Sequence, residues 1–124
     1  MKFQPDTATG VNTITRHEPG RVYVGTSAFV QHLVVPWAGE VRSWAVSGFD
    51  ELQADDFAAL AALKPELVIF GSGKRLRFAH PRLQASLINA GIGVETMDTA
   101  AACRTYNVLV SEGRSVVAAL LIES

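Results

Sequence analysis

Val116–Ile122 is an unbroken apolar run of seven residues, a length no run in this sequence exceeds, and a near-continuous run occupies 66–70. A bilayer-spanning helix takes about 20 apolar residues, and a strand with one wet face would alternate apolar with polar. These two runs, rich in Val, Leu and Ile and without alternation, read as strands covered on both faces, as in sheets flanked by helices. That requirement constrains the chain more than any other feature. A third strand is expected at 91–97, bounded by Gly91.

Between these strands the apolar period changes to that of a helix. His80-Pro81 suggests a helix start with proline in the first turn. Leu83, Leu87 and Ala90 share one face of 81–90, and Gly91 stops it. Asp98 or Thr99 caps a further helix over 99–111, with Ala102, Cys103, Tyr106 and Val110 pointing inward and Gly113 ending it. Upstream, Leu52 and Phe57 have the spacing of a hydrophobic staple around a helix entrance. Asp55 and Asp56 fall in its first turn, where the helix dipole favours carboxylates. Phe57, Leu60, Ala61 and Lys64 form its stripe, and Pro65 stops it. Strand 66–70, helix 81–90 and strand 92–97 make one βαβ unit, whose strands are expected to be parallel.

The first half reads as antiparallel hairpins over 11–16, 22–24, 28–35 and 41–46, with Glu18-Pro19-Gly20 and 36–40 as turns. The fold class is therefore α/β: N-terminal β-hairpins followed by β-α-β-α-β with a mixed sheet. Residues 1–10 are polar and turn-prone, a loose leader before a single domain over 11–124. At 124 residues, one core burying roughly two-thirds of the unfolded chain's surface needs no disulfide or metal.

Composition narrows the function classes. With 48% hydrophobic residues and a net charge of −1, neither disorder nor a dedicated nucleic-acid binder fits. Met1–Gly10 lacks the apolar core of a signal peptide and has one basic residue, so a cytoplasmic chain with no direct membrane insertion is expected. The lone Cys103 excludes internal disulfides and multi-cysteine metal sites.

Charge is unevenly spread. Between Leu67 and Val94 there is no acid, while Lys74, Arg75, Arg77 and Arg82 give that stretch +4 against −1 for the whole chain. Four of the residues that matter follow Phe70 directly: Gly71, Ser72, Gly73 and Lys74. Ligands of open α/β sheets favour the carboxyl ends of strands, and glycines let backbone N–H groups approach an anion. Gly71, Ser72, Gly73, Lys74, Arg75 and Arg77 are thus the candidate anion- or partner-binding residues, with the cationic side chains expected in solvent. A phosphate-binding P-loop would need glycine at Val68, and a dinucleotide fingerprint would need it at Leu76.

Other constellations point to structure. His17, His32 and His80 have no metal-ligand spacing. His32 fits a half-buried strand position and His80 a helix entrance. Cys103 lies on an apolar stripe, the usual place of an inert buried thiol. No Gly-x-Ser-x-Gly elbow occurs, and Asp50-Glu51 and Asp55-Asp56 are explained by capping. Trp37 and Trp44 flank the 36–40 turn: either they form an exposed docking patch, the other candidate surface, or, the preferred reading, Trp44 closes one end of the core. No set of residues commits the chain to a reaction, and no catalytic residue, metal ligand or cofactor is expected.

Segments 67–73 (LVIFGSG), 91–99 (GIGVETMDT), 102–109 (ACRTYNVL) and 112–120 (EGRSVVAAL) resemble the small domain family of mitochondrial NADH:ubiquinone oxidoreductase (complex I) assembly factor 3 and the adipogenesis-associated domain protein. The similarity spans about 12–122 and is closest to bacterial-type members. It implies a three-layer β/β/α domain, no established enzyme activity, no cofactor, and contacts with protein partners during complex I assembly. Thr99, Asn107, Glu112 and Arg114 match the family motif. Capping by Thr99, a hydrogen bond from Asn107 to a neighbouring loop, and pairing of Glu112 with Arg114 across Gly113 account for them. Two functions follow: a non-enzymatic assembly-factor-like domain for a respiratory or other membrane-associated complex, or a binder or enzyme for a phosphate or carboxylate at Gly71–Arg75.

Overall fold

The computed structural model describes residues 10–124; the leader assigned to 1–10 lies, Gly10 aside, outside them. Two sheets form. The first is antiparallel, in the order β1 (Ile14–Glu18), β2 (Arg21–Val24), β3 (Ser27–Phe29). The second contains β4 (Leu33–Pro36), β5 (Arg42–Ser43), β6 (Leu67–Gly71), β7 (Gly93–Met97) and β8 (Val116–Leu120), in the order β5-β4-β8-β6-β7. β6 runs parallel to both β7 and β8, while β4 is antiparallel to β8 and β5, so the sheet is mixed.

The apolar runs are explained by what covers them. On β8, Val116, Ala118 and Leu120 face one cluster and Val117 and Ala119 the other. Leu67 and Ile69 of β6 join the first cluster, Val68 and Phe70 the second. The first cluster is closed by Ala102, Cys103, Tyr106 and Val110 of helix α3 (Thr99–Ser111) and by Ile14, Val22 and Val24 of the small sheet. The second is closed by Phe57 and Leu60, on and after α1 (Ala54–Ala58), by Leu87 of α2 (Ala85–Asn89), and by Trp44. Three layers result, with the small sheet and α3 side by side in one of them.

Local chemistry sets the element ends. The Gln53 amide donates to Asp56 Oδ2 at 2.8 Å where Leu52 and Phe57 bracket the start of α1. Segment 81–90 begins as a 3₁₀ turn, Pro81–Gln84, before α2. His80 Nδ1 accepts from the Arg82 amide at 3.1 Å and so caps that turn. At the end of α3, Gly113 N donates to Val110 O and Arg114 N to Leu109 O, the paired bonds of a Schellman motif. Gly113 takes φ +84°, which only glycine adopts cheaply.

Three local expectations are corrected. Residues 28–35 are not one strand: the chain leaves the small sheet after Phe29 and enters the large one at Leu33. The pattern changes there from exposed Ser27 and Ala28 to the fully buried Leu33–Pro36. A strand with one covered face and a strand with two cannot share a sheet position. His32 bridges the switch, its Nδ1 accepting from Ile122 N at 2.9 Å and its carbonyl from Trp44 N at 2.8 Å. Lys64 is not on the α1 stripe but sits past the helical turns at φ 54°. Arg114 pairs across the sheet with Glu66 at 2.9 Å rather than with Glu112, and Ser115 N donates to the same carboxylate.

Asn107 ties α3 to the small sheet. Its Nδ2 donates to Ile14 O at 2.6 Å and its Oδ1 accepts from Ile14 N at 2.9 Å. Beside it, the Tyr106 hydroxyl oxygen lies 2.8 Å from Asn12 O and 3.0 Å from Pro36 O, the two carbonyls that can share its one proton. Asn107→Ala leaves both Ile14 groups without their partner and is expected to cost about 1–2 kcal/mol in denaturant unfolding. An unchanged midpoint would show that this tie does not hold the sheet.

Candidate functional site

The loop 71–77 begins where β6 ends, and two glycines let it lie against the core. A Cβ on Gly71 would stand 2.8 Å from Leu120 Cδ2 and 3.0 Å from Thr99 Oγ1. Gly73 takes φ +106°, and a Cβ there would overlap the Glu123 carboxylate. Both glycines serve close approach to the chain's own atoms. Gly73 N donates to Thr99 Oγ1 at 2.9 Å, and that hydroxyl donates to Leu121 O at 2.7 Å. Thr99 therefore bridges loop and last strand, while Asp98 is the cap of α3, accepting from Ala101 N at 2.9 Å.

Ser72 is fully buried. Its hydroxyl donates to Arg75 O at 2.8 Å and accepts from Arg77 N at 2.9 Å, which folds the loop back on itself. Arg77 is not in solvent, contrary to expectation. Its guanidinium donates twice to Ser72 O, at 2.6 and 3.1 Å, and once to Glu123 Oε2 at 2.7 Å. It also lies over the Phe49 ring, 4.6 Å from the centroid, so the planar cation is held on face and edge. Glu123 Oε1 accepts from Lys74 N at 3.0 Å. Partial burial opposes ionisation of Glu123, but the Lys74 amide, the Arg77 guanidinium and the nearby His32 together hold its carboxyl below the usual carboxylate range.

The carboxylate missing between Leu67 and Val94 thus arrives from the far end of the chain. The structure brings Gly71, Ser72, Gly73, Lys74, Arg75 and Arg77 into one loop, with Lys74 and Arg75 exposed. Glu123, Thr99 and Phe49 are the members that sequence reasoning missed. One signal was present: Glu123 is the acid immediately after the apolar run Val116–Ile122.

A cleft of about 370 Å³ adjoins the loop, lined by His17, Pro19, Gly73, Lys74, Thr99 and Ala100 together with Glu123 and Ser124. Among its lining groups, the Thr99 hydroxyl and the Glu123 carboxylate are already engaged within the chain. His17 and Lys74 are exposed there. Among the described residues, no three His, Cys, Asp or Glu side chains come together as a metal-binding group, and no helix is long and apolar enough to cross a membrane.

Trp44 is a core residue, edge-on to Phe57 and Phe70 at 5.7 and 6.0 Å, while Trp37 is half-buried. Cys103 is 3% exposed, and burial pushes its thiol up to about 12. A cleft of about 350 Å³ between β1 and α3 reaches it, but the thiolate, not the thiol, is the nucleophile. Labelling of native Cys103 by a maleimide at neutral pH is expected only through unfolding, and Cys103→Ala should lower stability by about 1 kcal/mol. Rapid stoichiometric labelling of the folded protein would contradict this.

The chain is 29% identical over 122 residues to the NADH dehydrogenase [ubiquinone] 1 alpha subcomplex assembly factor 3 of Xenopus tropicalis, covering 97% of this chain and 66% of that protein. It is 38% identical over 104 residues to an uncharacterized protein of Rhodobacter capsulatus, covering 82% and 73%. The chain spans about half to two-thirds of the length of the assembly-factor relatives it matches. Among solved structures, a Bordetella parapertussis protein superposes with a TM-score of 0.88 at 38% identity, covering 94% of this chain and 99% of that one. The family model described as "Protein of unknown function (DUF498/DUF598)" matches residues 14–121, and the chain belongs to that family.

Proposed function

We propose that the chain is a non-enzymatic, assembly-factor-like domain over residues 11–124, acting in the cytoplasm through protein contacts with respiratory complex I or another membrane-associated complex. One observation carries this reading. The loop's inward donors, Gly73 N, Lys74 N and the Arg77 guanidinium, are taken by Thr99 and Glu123. The charges the loop offers outward are a pair of exposed cations, Lys74 and Arg75. Such charges steer encounter with an acidic partner more than they hold a small ligand. Relatives named as complex I assembly factors support the choice of partner.

The test is affinity purification of the tagged chain from solubilised membranes of its own cell, followed for complex I subunits. Those subunits are expected to co-purify at low salt and to be lost from the folded Lys74→Glu/Arg75→Glu variant. Their absence from the wild-type eluate would overturn the reading. The cleft beside Gly73 favours a second reading, an anion site for phosphate or a carboxylate. Saturable binding of inorganic phosphate in calorimetry, removed by Lys74→Glu, would establish it instead.

A further inference from the structure

The segment following the loop alternates in exposure. Leu76, Phe78 and His80 are exposed, whereas Arg77 is held against Ser72, Glu123 and Phe49, and Ala79 is buried. Leu76 is 51% and Phe78 69% exposed. With Arg77 pinned inward between them, the two large apolar side chains project from the opposite side of the segment. Lys74, Arg75 and Arg82, also exposed, flank them in sequence. No acid lies between Leu67 and Val94, and Glu123 is already committed to Arg77 and the Lys74 amide. Along segment 74–82, two exposed apolar side chains thus stand between exposed cations, while Asp50 and Glu51, also exposed, follow Phe49 on the turn that packs against Arg77.

Its shape bears on what it fits. Neither Leu76 nor Phe78 lines the clefts beside Gly73, Cys103 or Trp44. Protein interfaces draw most of their affinity from anchors seated in complementary pockets. Two projecting side chains on a held loop supply anchors, and none of the four clefts adjoins them. A bilayer is deformable and needs no matching groove: it takes apolar tips at the acyl boundary while lipid phosphates neutralise the surrounding cations.

The geometry points to residues 74–82 as a peripheral docking surface for anionic lipid, with Leu76 and Phe78 entering the headgroup boundary and Lys74, Arg75 and Arg82 pairing with headgroup phosphates. The domain rests on the membrane without crossing it. This goes beyond the protein contacts proposed above, although it draws on the same exposed Lys74 and Arg75.

The experiment is co-sedimentation of the full chain with vesicles of mixed phosphatidylglycerol and phosphatidylcholine, against phosphatidylcholine alone, at low and high salt. Binding is expected on the anionic vesicles only and should fade as salt rises. Lys74→Glu/Arg75→Glu should weaken it about thirtyfold, from the effect of two cations at an anionic surface. Leu76→Ser/Phe78→Ser should weaken it at least about tenfold by removing apolar contact. All four side chains are exposed, so both variants should melt like the wild type. No binding to the anionic vesicles, equal binding to neutral ones, or unchanged binding by either folded variant would overturn the proposal. Loss of co-purifying complex I subunits from these variants, with no vesicle binding by the wild type, would make this a protein-docking surface and overturn the lipid assignment. Because the vesicles contain no protein, failure here leaves the complex I reading to its own test.

Discussion

Arg77→Glu is expected to destabilise the protein by about 3 kcal/mol, whereas Lys74→Glu/Arg75→Glu stays within about 0.5 kcal/mol of wild type. The contrast follows from where three cations of one short segment end up. The Arg77 guanidinium makes two bonds to Ser72 O, one to Glu123 and a face contact with Phe49. Glutamate would lose all of these and set a second carboxylate against Glu123 in a half-buried site. The Arg77 and Glu123 side chains are only 23% and 27% exposed in the native pair, so water screens the repulsion incompletely. Lys74 contributes its backbone amide to Glu123, which substitution does not remove, and its side chain is exposed. Urea midpoints of the two variants check this directly. Equal effects would mean that the pair with Glu123 does not order the loop.

The same pair sets an acid dependence. The folded-state pKa of Glu123 is lowered, so its contribution is present above the unfolded carboxylate value, near 4.5, and is lost as pH falls through the folded value. Stability of the wild type should therefore drop on acidification more steeply than that of Glu123→Gln. Parallel curves for the two proteins would remove Glu123 from the acid response.

Gly73→Ala is expected to cost about 3 kcal/mol, from backbone strain and displacement of a paired charge together. The residue sits at φ +106°, outside what L side chains adopt readily, and the new methyl would overlap the Glu123 carboxylate. Relief requires Glu123 to move, which breaks its bonds to Lys74 N and Arg77. By contrast Gly25→Ala, at φ +59° with nothing within 4 Å of a Cβ, carries only the conformational part, about 1 kcal/mol. Thermal melts of the two variants separate the terms. A Gly73→Ala protein no less stable than Gly25→Ala would show that the loop is free to shift.

The central architecture was legible because burial on two faces leaves a mark in sequence. The run Val116–Ile122 has no polar alternation since both faces of β8 are covered, and 67–70 reads the same way for the same reason. The inward face of α3 was equally legible: Ala102, Cys103, Tyr106 and Val110 follow the helical period and are all buried. Split strand 28–35 was not, because local propensity is similar in both halves and only the partner sheet differs.

The candidate loop divides along the same line. Its position after a buried strand and its local excess of positive charge were written in Phe70–Arg77, since both depend on neighbours in the chain. That Arg77 is neutralised, that Ser72 is buried, and that Leu76 and Phe78 project together depended on Glu123, Thr99 and Phe49, which lie 22 to 49 residues from their partners. Periodicity and charge runs are short-range quantities. The antiparallel and parallel pairings of β8 that deliver Glu123 to the loop are long-range ones, and only closure of the sheet decided them.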